Sequence, residues 1–151
     1  MKKDILYPEI SYAVVGICFD IHNELGRFAR EKQYADLLES RLKDSRVQYE
    51  REFRIGDSGN VVDFLIEEKV LLELKTVRAL TRAHYRQIQN YLQQSRIELG
   101  LLINFSDAVL RPRRILRLSH QNNSQPFVDS DKASIRTNPF VDSDKASIRT
   151  L

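Results

Sequence analysis

Asp63, Glu73 and Lys75 fall within one short stretch, Val62-Asp63-Phe64-Leu65-Ile66-Glu67-Glu68-Lys69-Val70-Leu71-Leu72-Glu73-Leu74-Lys75. If the chain reverses as a hairpin about Glu68, paired residues have numbers that sum to a constant, which sets Asp63 across from Glu73 on the same face. Side-chain alternation then keeps Glu73 and Lys75 together and turns Val70, Leu72 and Leu74 the other way, into the core. Two carboxylates and one ammonium would share a patch. Hard oxygen ligands of this kind suit Mg²⁺ or Mn²⁺, ions that keep coordinated waters and bind phosphate oxygens. A lysine beside them can orient or help deprotonate an attacking water and offset charge on a phosphorane-like transition state. The competing reading of the same residues is a solvated strand face carrying ordinary surface charges. The trio alone leaves both open.

Positioning such a trio needs a sheet, and the surrounding periodicities supply one. Apolar residues at Ile10, Val14, Ile17, Cys18, Ile21 and Leu25 predict a first helix ending at Gly26. A second, from near Ala29, carries the stripe Tyr34, Leu37, Leu38 and Leu42, with an exit at Asp44-Ser45. Val47, Tyr49, Arg51, Phe53 and Ile55 alternate with polar neighbours and predict a strand with one wetter face. Turn residues 56–60 and 67–69 separate it from strands over Val61 to Ile66 and Val70 to Thr76, giving an antiparallel meander. Thr81 can cap a helix running to about Gln94, with Tyr85, Ile88, Tyr91 and Leu92 on its apolar side. Leu99 to Phe105 reads as a buried strand, and Arg113 to Leu118 as a last edge strand. A helix between two strands implies a crossover, hence a mixed sheet flanked by helices, an α/β (α+β) fold.

After Ser119 the composition turns polar, and residues 126–137 recur as residues 139–150. Two short copies with few apolar residues cannot stack into a solenoid, and disorder is expected of them. The expected division is therefore a domain over residues 1–118 and a linker with a duplicated tail over 119–151.

The residues also carry a family resemblance. Asp63 followed after a hairpin by Glu73-Leu74-Lys75 resembles the D...ExK core of the PD-(D/E)XK nuclease superfamily, with Val62 where the motif often has proline. Gln87 and Tyr91 are similar to the QxxxY helix of RecB-like nucleases, and residues 100–105 to the strand that follows it. Upstream, His22-Asn23-Glu24-Leu25-Gly26 and then Glu31-Lys32-Gln33-Tyr34 resemble the signature of the bacterial GxxExxY family within that superfamily. That family often reads Leu-Gly-Pro-Gly-Phe before its glutamate, whereas this chain has Leu25-Gly26-Arg27-Phe28-Ala29-Arg30. The likeness extends from about Ile5 to Leu118. It implies a restriction-endonuclease-like αββαβ core, Mg²⁺ (or Mn²⁺) at Asp63 and Glu73, and Lys75 as the catalytic lysine. It also implies that Glu31 supports the metal or Lys75, and that Gln87 and Tyr91 contact phosphate or brace Lys75. For Glu31 the plain alternative is an acid favoured by a helix N-terminus, and for Tyr91 it is core packing.

Composition sets bounds on function. At 151 residues the chain has room for one domain with a real core. Lys plus Arg number 24 against 21 Asp plus Glu, a net charge of +3 that tolerates a polyanion without demanding one. Cys18 is the single cysteine, so no disulfide framework or Cys-rich zinc site exists, and a reducing cytoplasm fits. His22 stands four residues after Cys18 without a third soft ligand, which argues against zinc. No apolar run is long enough for a membrane span. His84 with Arg78, Arg82 and Arg86, and a second group Arg111, Arg113 and Arg114, are candidates for phosphate contact, a solvated helix face being the commoner explanation. The resulting expectation is a small Mg²⁺-dependent nuclease acting on DNA in repair or defence, with oligomeric state open and a homodimer among the options. The alternative is a non-catalytic nucleic-acid- or partner-binding module on the same fold.

Overall fold

The first helix starts where proline is tolerated best, at the first helical position, whose N–H has no intrahelical partner to lose. The computed structural model describes residues 6–119, and in it α1 spans Pro8–Leu25. It stops at Gly26, where φ is +77° and the N–H bonds to the His22 carbonyl. Helix α2 (Glu31–Asp44) begins where the Gln33 side chain reaches back to the Arg30 N–H at 2.9 Å. Helix α3 (Arg82–Ser95) begins after Thr81, whose N–H is held by His84 Nδ1 at 2.9 Å.

Between these helices, β1 (Tyr49–Arg54), β2 (Val61–Ile66) and β3 (Val70–Lys75) form the antiparallel meander. Helix α3 then crosses over to β4 (Leu99–Asn104), which runs parallel to β3, and β5 (Arg113–Leu116) closes the sheet antiparallel to β4. The strand order is β1-β2-β3-β4-β5. The element order αα, βββ, α, ββ is the mixed, helix-flanked α+β sheet expected. Every residue of β4 is buried, as its uncharged run predicts. The duplicated tail, expected to be disordered, lies outside the described residues.

Two apolar layers hold this sheet. On one face Val14, Cys18 and Ile21 of α1 and Tyr34, Leu38 and Leu42 of α2 pack on Val70, Leu72 and Leu74. On the other, Ile88, Tyr91 and Leu92 of α3 pack with Leu71, Leu102 and Ile115. A β-carbon on Gly100 would stand 2.9 Å from Ile88 Cγ2, so the missing side chain is what lets α3 approach β4 this closely.

Alternation along β1 is broken. The sequence predicts Tyr49 and Phe53 on one face, yet Tyr49 packs with the α1/α2 layer and Phe53 with the α3 layer. Between them Glu52 has φ +55°, a left-handed conformation that re-aims the strand. The same switch crosses to β2, where Val62 joins the α3 layer and Phe64 the α1/α2 layer. Asp63 occupies the turning point.

Candidate active site where the β2–β3 ladder gives way

Hairpin pairing fixes which residues of β2 and β3 can meet. The ladder runs Ile66↔Val70, Leu65↔Leu71 and Phe64↔Leu72, around a turn in which Glu67 and Glu68 both have positive φ. The next step would pair Asp63 with Glu73, as the constant sum predicts. Here side chains replace the ladder. The Asp63 N–H donates to Glu73 Oε1 at 3.1 Å, and the Leu74 N–H donates to Asp63 Oδ2 at 2.7 Å. Each carboxylate is thus fixed by the backbone of the strand opposite it, and each keeps one oxygen outside that exchange. Lys75 Nζ lies 3.6 Å from Glu73 Oε2.

Electrostatics give the cluster its character. Glu73 is only 6% exposed, and burial, with the charge of Asp63 beside it, pushes its carboxyl up to about 7. Asp63 is also raised, chiefly by burial, against the opposing pull of the Leu74 N–H and Lys75. Glu31, at the first position of α2, feels burial of its carboxyl end and the charge of Asp63, both raising it, while Lys75 and the Thr76 hydroxyl favour its ionised form. Tyr91 is raised by burial first and then by Glu73 and Asp63. The fold therefore gathers Asp63, Glu73, Lys75 and Glu31 into one electrostatic group, with Tyr91 flanking it.

Gln87 lies one turn before Tyr91 on α3. Its Oε1 is buried with no hydrogen-bond partner, and it does not bond to Lys75. With Asn60, Arg86, Asn90 and Tyr91 it lines an open cleft of about 300 Å³ on the α3 side. A second cleft of about 280 Å³ lies on the α2 side and is lined by Glu31, Lys32, Arg51, Glu52 and Asp63. Asp63 thus lines the α2-side cleft and Tyr91 the α3-side one.

Asn104 was not singled out from the sequence. It is fully buried, pairs with Lys75 across the parallel ladder, and brackets the residue two beyond it. Its Nδ2 donates to the Val77 carbonyl at 2.9 Å and to Asp107 Oδ1 at 3.0 Å, and its Oδ1 accepts the Val77 N–H at 3.0 Å. The available signal was a polar residue inside the apolar run Gly100 to Phe105.

Other expected candidates have different partners. His84 Nδ1 serves the start of α3, and His22 Nε2 pairs with the Asp107 carbonyl at 2.9 Å. Arg114 turns away from solvent to donate to Ser11 Oγ at 2.6 Å and the Leu6 carbonyl at 2.8 Å, which removes it from the second basic group.

Among the described residues no three His, Cys, Asp or Glu side chains converge into a metal cage. The donor set still fits a divalent ion that is held by one or two carboxylates and completed by water and phosphate oxygens, as Mg²⁺ commonly is. Burial raises both carboxyls, and the charge of Asp63 raises Glu73 further, so the doubly ionised pair is disfavoured, and a cation between their free oxygens would relieve that. A family model of the PD-(D/E)XK nuclease superfamily matches residues 8–117. The chain belongs to this superfamily. Its members generally use divalent metals, and the superfamily implies nucleic-acid binding. No curated protein matches the chain. Among solved structures the superfamily chain is similar to one titled "Crystal structure of SSO0001", at 22% identity and a TM-score of 0.45. That match covers 78% of this chain and 60% of the other, so the chain spans about three-fifths of that protein's length. Among the described residues no helix is long and apolar enough to cross a membrane.

Proposed function

We propose that this PD-(D/E)XK chain is a divalent-metal-dependent nuclease that hydrolyses phosphodiester bonds in DNA, with Asp63 and Glu73 as metal ligands and Lys75 as the catalytic lysine. The single observation that supports this most is the reciprocal exchange between Asp63 and Glu73, which fixes a half-buried and a buried carboxylate side by side with an ammonium 3.6 Å from Glu73. Mg²⁺ or Mn²⁺ bound there would supply Lewis acidity toward a phosphate oxygen and an acidified water. Lys75 orients that water and offsets the negative charge that grows on the phosphate oxygens. Glu31 faces the same group from α2 and holds Lys75 in place through their mutual attraction. Tyr91 and Gln87 border the path of the strand on the α3 side.

The finer family reading, GxxExxY, is supported by Glu31 and Tyr34 at their three-residue spacing, although Phe28 stands where the motif has its glycine, and Tyr34 is buried against Phe105 in a stacked pair 4.2 Å apart. The catalytic unit is residues 1–118, and residues 119–151 form a dispensable tail. The single buried cysteine suits a reducing cytoplasm.

The deciding experiment incubates the purified full chain with linear, circular and single-stranded DNA, in Mg²⁺ or in EDTA. Cleavage in Mg²⁺ that disappears in EDTA and in Lys75→Ala is expected. No cleavage of any substrate with Mg²⁺ or Mn²⁺ would overturn the nuclease reading and leave a binding module on the same fold.

A further inference from the structure

The loop between α1 and α2 holds a phenylalanine where none is needed for packing. Phe28 is 88% exposed, which is more than Tyr12, the next most open large apolar residue among those described. Its loop is nonetheless well tied down. Gly26 N–H bonds to His22, the Tyr34 hydroxyl donates to the Gly26 carbonyl and accepts the Ala29 N–H at 3.2 Å, and Arg27 Nε donates to the Ser106 carbonyl at 3.0 Å. The ring is therefore presented by an anchored backbone and is not a loose loop tip.

Its position is tied to the site. Ser106 and Asp107 directly follow β4, at the end where Asn104 pairs with Lys75 and grips Val77. Arg27 bonds to Ser106, His22 pairs with Asp107, and Glu31 begins α2 three residues after Phe28. Phe28 thus stands at the same end of the parallel pair β3–β4 as Lys75. The Arg27 guanidinium lies over one face of its ring, 5.1 Å from the centroid, and Arg30 adds positive charge to the same short segment, where Lys32 is paired with Asp36.

We infer that Phe28 and Arg27 form a stacking platform for one unpaired nucleobase next to the scissile phosphate, so that the preferred substrate is single-stranded or frayed nucleic acid. Placing that base beside a phosphate that is cut rests on the proposed nuclease function; the stacking itself does not. A flat apolar ring with an open face attracts a base whatever its identity, and an adjacent guanidinium can both extend the stack and neutralise the neighbouring phosphate. A base inside a duplex is already stacked and cannot use the platform without leaving its helix, which costs a few kcal/mol. The charge around the ring matches a polyanion better than it matches an apolar protein surface.

The test measures binding without cleavage. The full chain in EDTA is mixed with a short single strand carrying one 2-aminopurine, and fluorescence quenching and affinity are followed. Wild type and Phe28→Trp should quench the probe. Phe28→Ala and Phe28→Leu should lose the quench and bind about five- to a hundred-fold more weakly, the range that loss of one base–aromatic stack covers. Melting temperatures should stay within about 1 °C, because so exposed a ring contributes little to the core. Duplex binding should change far less than single-strand binding. Unchanged quenching in Phe28→Ala, full affinity in Phe28→Leu, or a shift of oligomeric state with no effect on DNA binding would each overturn the platform, the last assigning Phe28 to a protein contact. If no DNA is cut in Mg²⁺ yet quenching still follows Phe28, the nuclease reading falls and the platform stands.

Discussion

Lys75 and Asn104 are neighbours across the only parallel ladder among the described residues, and the asparagine amide clamps the backbone that leaves the lysine. Replacing Asn104 by leucine keeps the branched outline and abandons the Val77 N–H and carbonyl in a buried setting, at about 1–3 kcal/mol for each orphaned group. Urea denaturation should show a loss of at least about 2 kcal/mol, with kcat falling more than KM rises, since Lys75 loses its fixed origin. Stability unchanged within error would show that the clamp carries no load.

Removing the reacting groups should act on turnover and not on folding. Lys75→Ala is expected to cut turnover by about 10²–10³-fold, the usual effect of deleting one charge-stabilising donor. Asp63→Asn should be as severe. Metal affinity read by titration calorimetry should drop for Asp63→Asn and stay nearly constant for Lys75→Ala. A Lys75→Ala protein that still cuts at wild-type rate would remove lysine from the mechanism.

Burial, and then the charge of Asp63, push the Glu73 carboxyl up to about 7 from its ordinary value of 4.5. The folded chain therefore binds this proton more tightly than the unfolded chain. That contribution is complete below about pH 4.5 and is lost as pH rises through about 7, by an amount on the order of 3 kcal/mol. Melting in EDTA across that window should show wild type losing stability relative to Glu73→Gln, and added Mg²⁺ should recover it for wild type alone. Parallel curves for the two proteins would contradict the assignment of this titration to Glu73.

Gly100→Ala places a methyl against Ile88 Cγ2, a branch that cannot swing aside freely. About 1–3 kcal/mol of destabilisation is expected from such overpacking, together with an outward shift of α3. Because α3 carries Gln87 and Tyr91, activity should fall even where the variant is still folded. A neutral or stabilising effect in thermal melts would mean that the helix rides on the sheet less tightly than the geometry implies.

Cys18 is buried without exposure, and burial pushes its thiol up to about 12. Disulfide reagents at neutral pH should label it only as fast as the domain opens, so the labelling rate doubles as a stability assay. Rapid labelling of native protein would place Cys18 outside the core.

Much of this is legible in the sequence, and the parts that are not have a common cause. Helix ends at Gly26 and Thr81, the meander and the buried strand followed from periodicity and turn residues. So did the meeting of Asp63 with Glu73, because hairpin parity is arithmetic. The break at Glu52 was invisible, since a glutamate with positive φ has no compositional signature and holds that shape only through its surroundings. Asn104 has no signature of its own in the strand pattern because its role lies in partners on separate segments, Val77 and Asp107. The resemblance has Gln87 contact phosphate or brace Lys75; its Oε1 is buried without a partner and the residue lines the α3-side cleft beside Tyr91.

Helix α3 connects two parallel neighbours, and such connections take one hand almost without exception because L-amino acids twist strands one way. With that hand fixed, α3 has no choice of side. It must cover the surface that carries Leu71 and Glu73, which leaves α1 and α2 to cover the surface of Leu72 and Leu74. Tyr91 comes near the carboxylate pair for the same reason that its strands twist. Chirality at the α-carbon, far below the scale of any motif, thus helps to decide which side chains can reach the site.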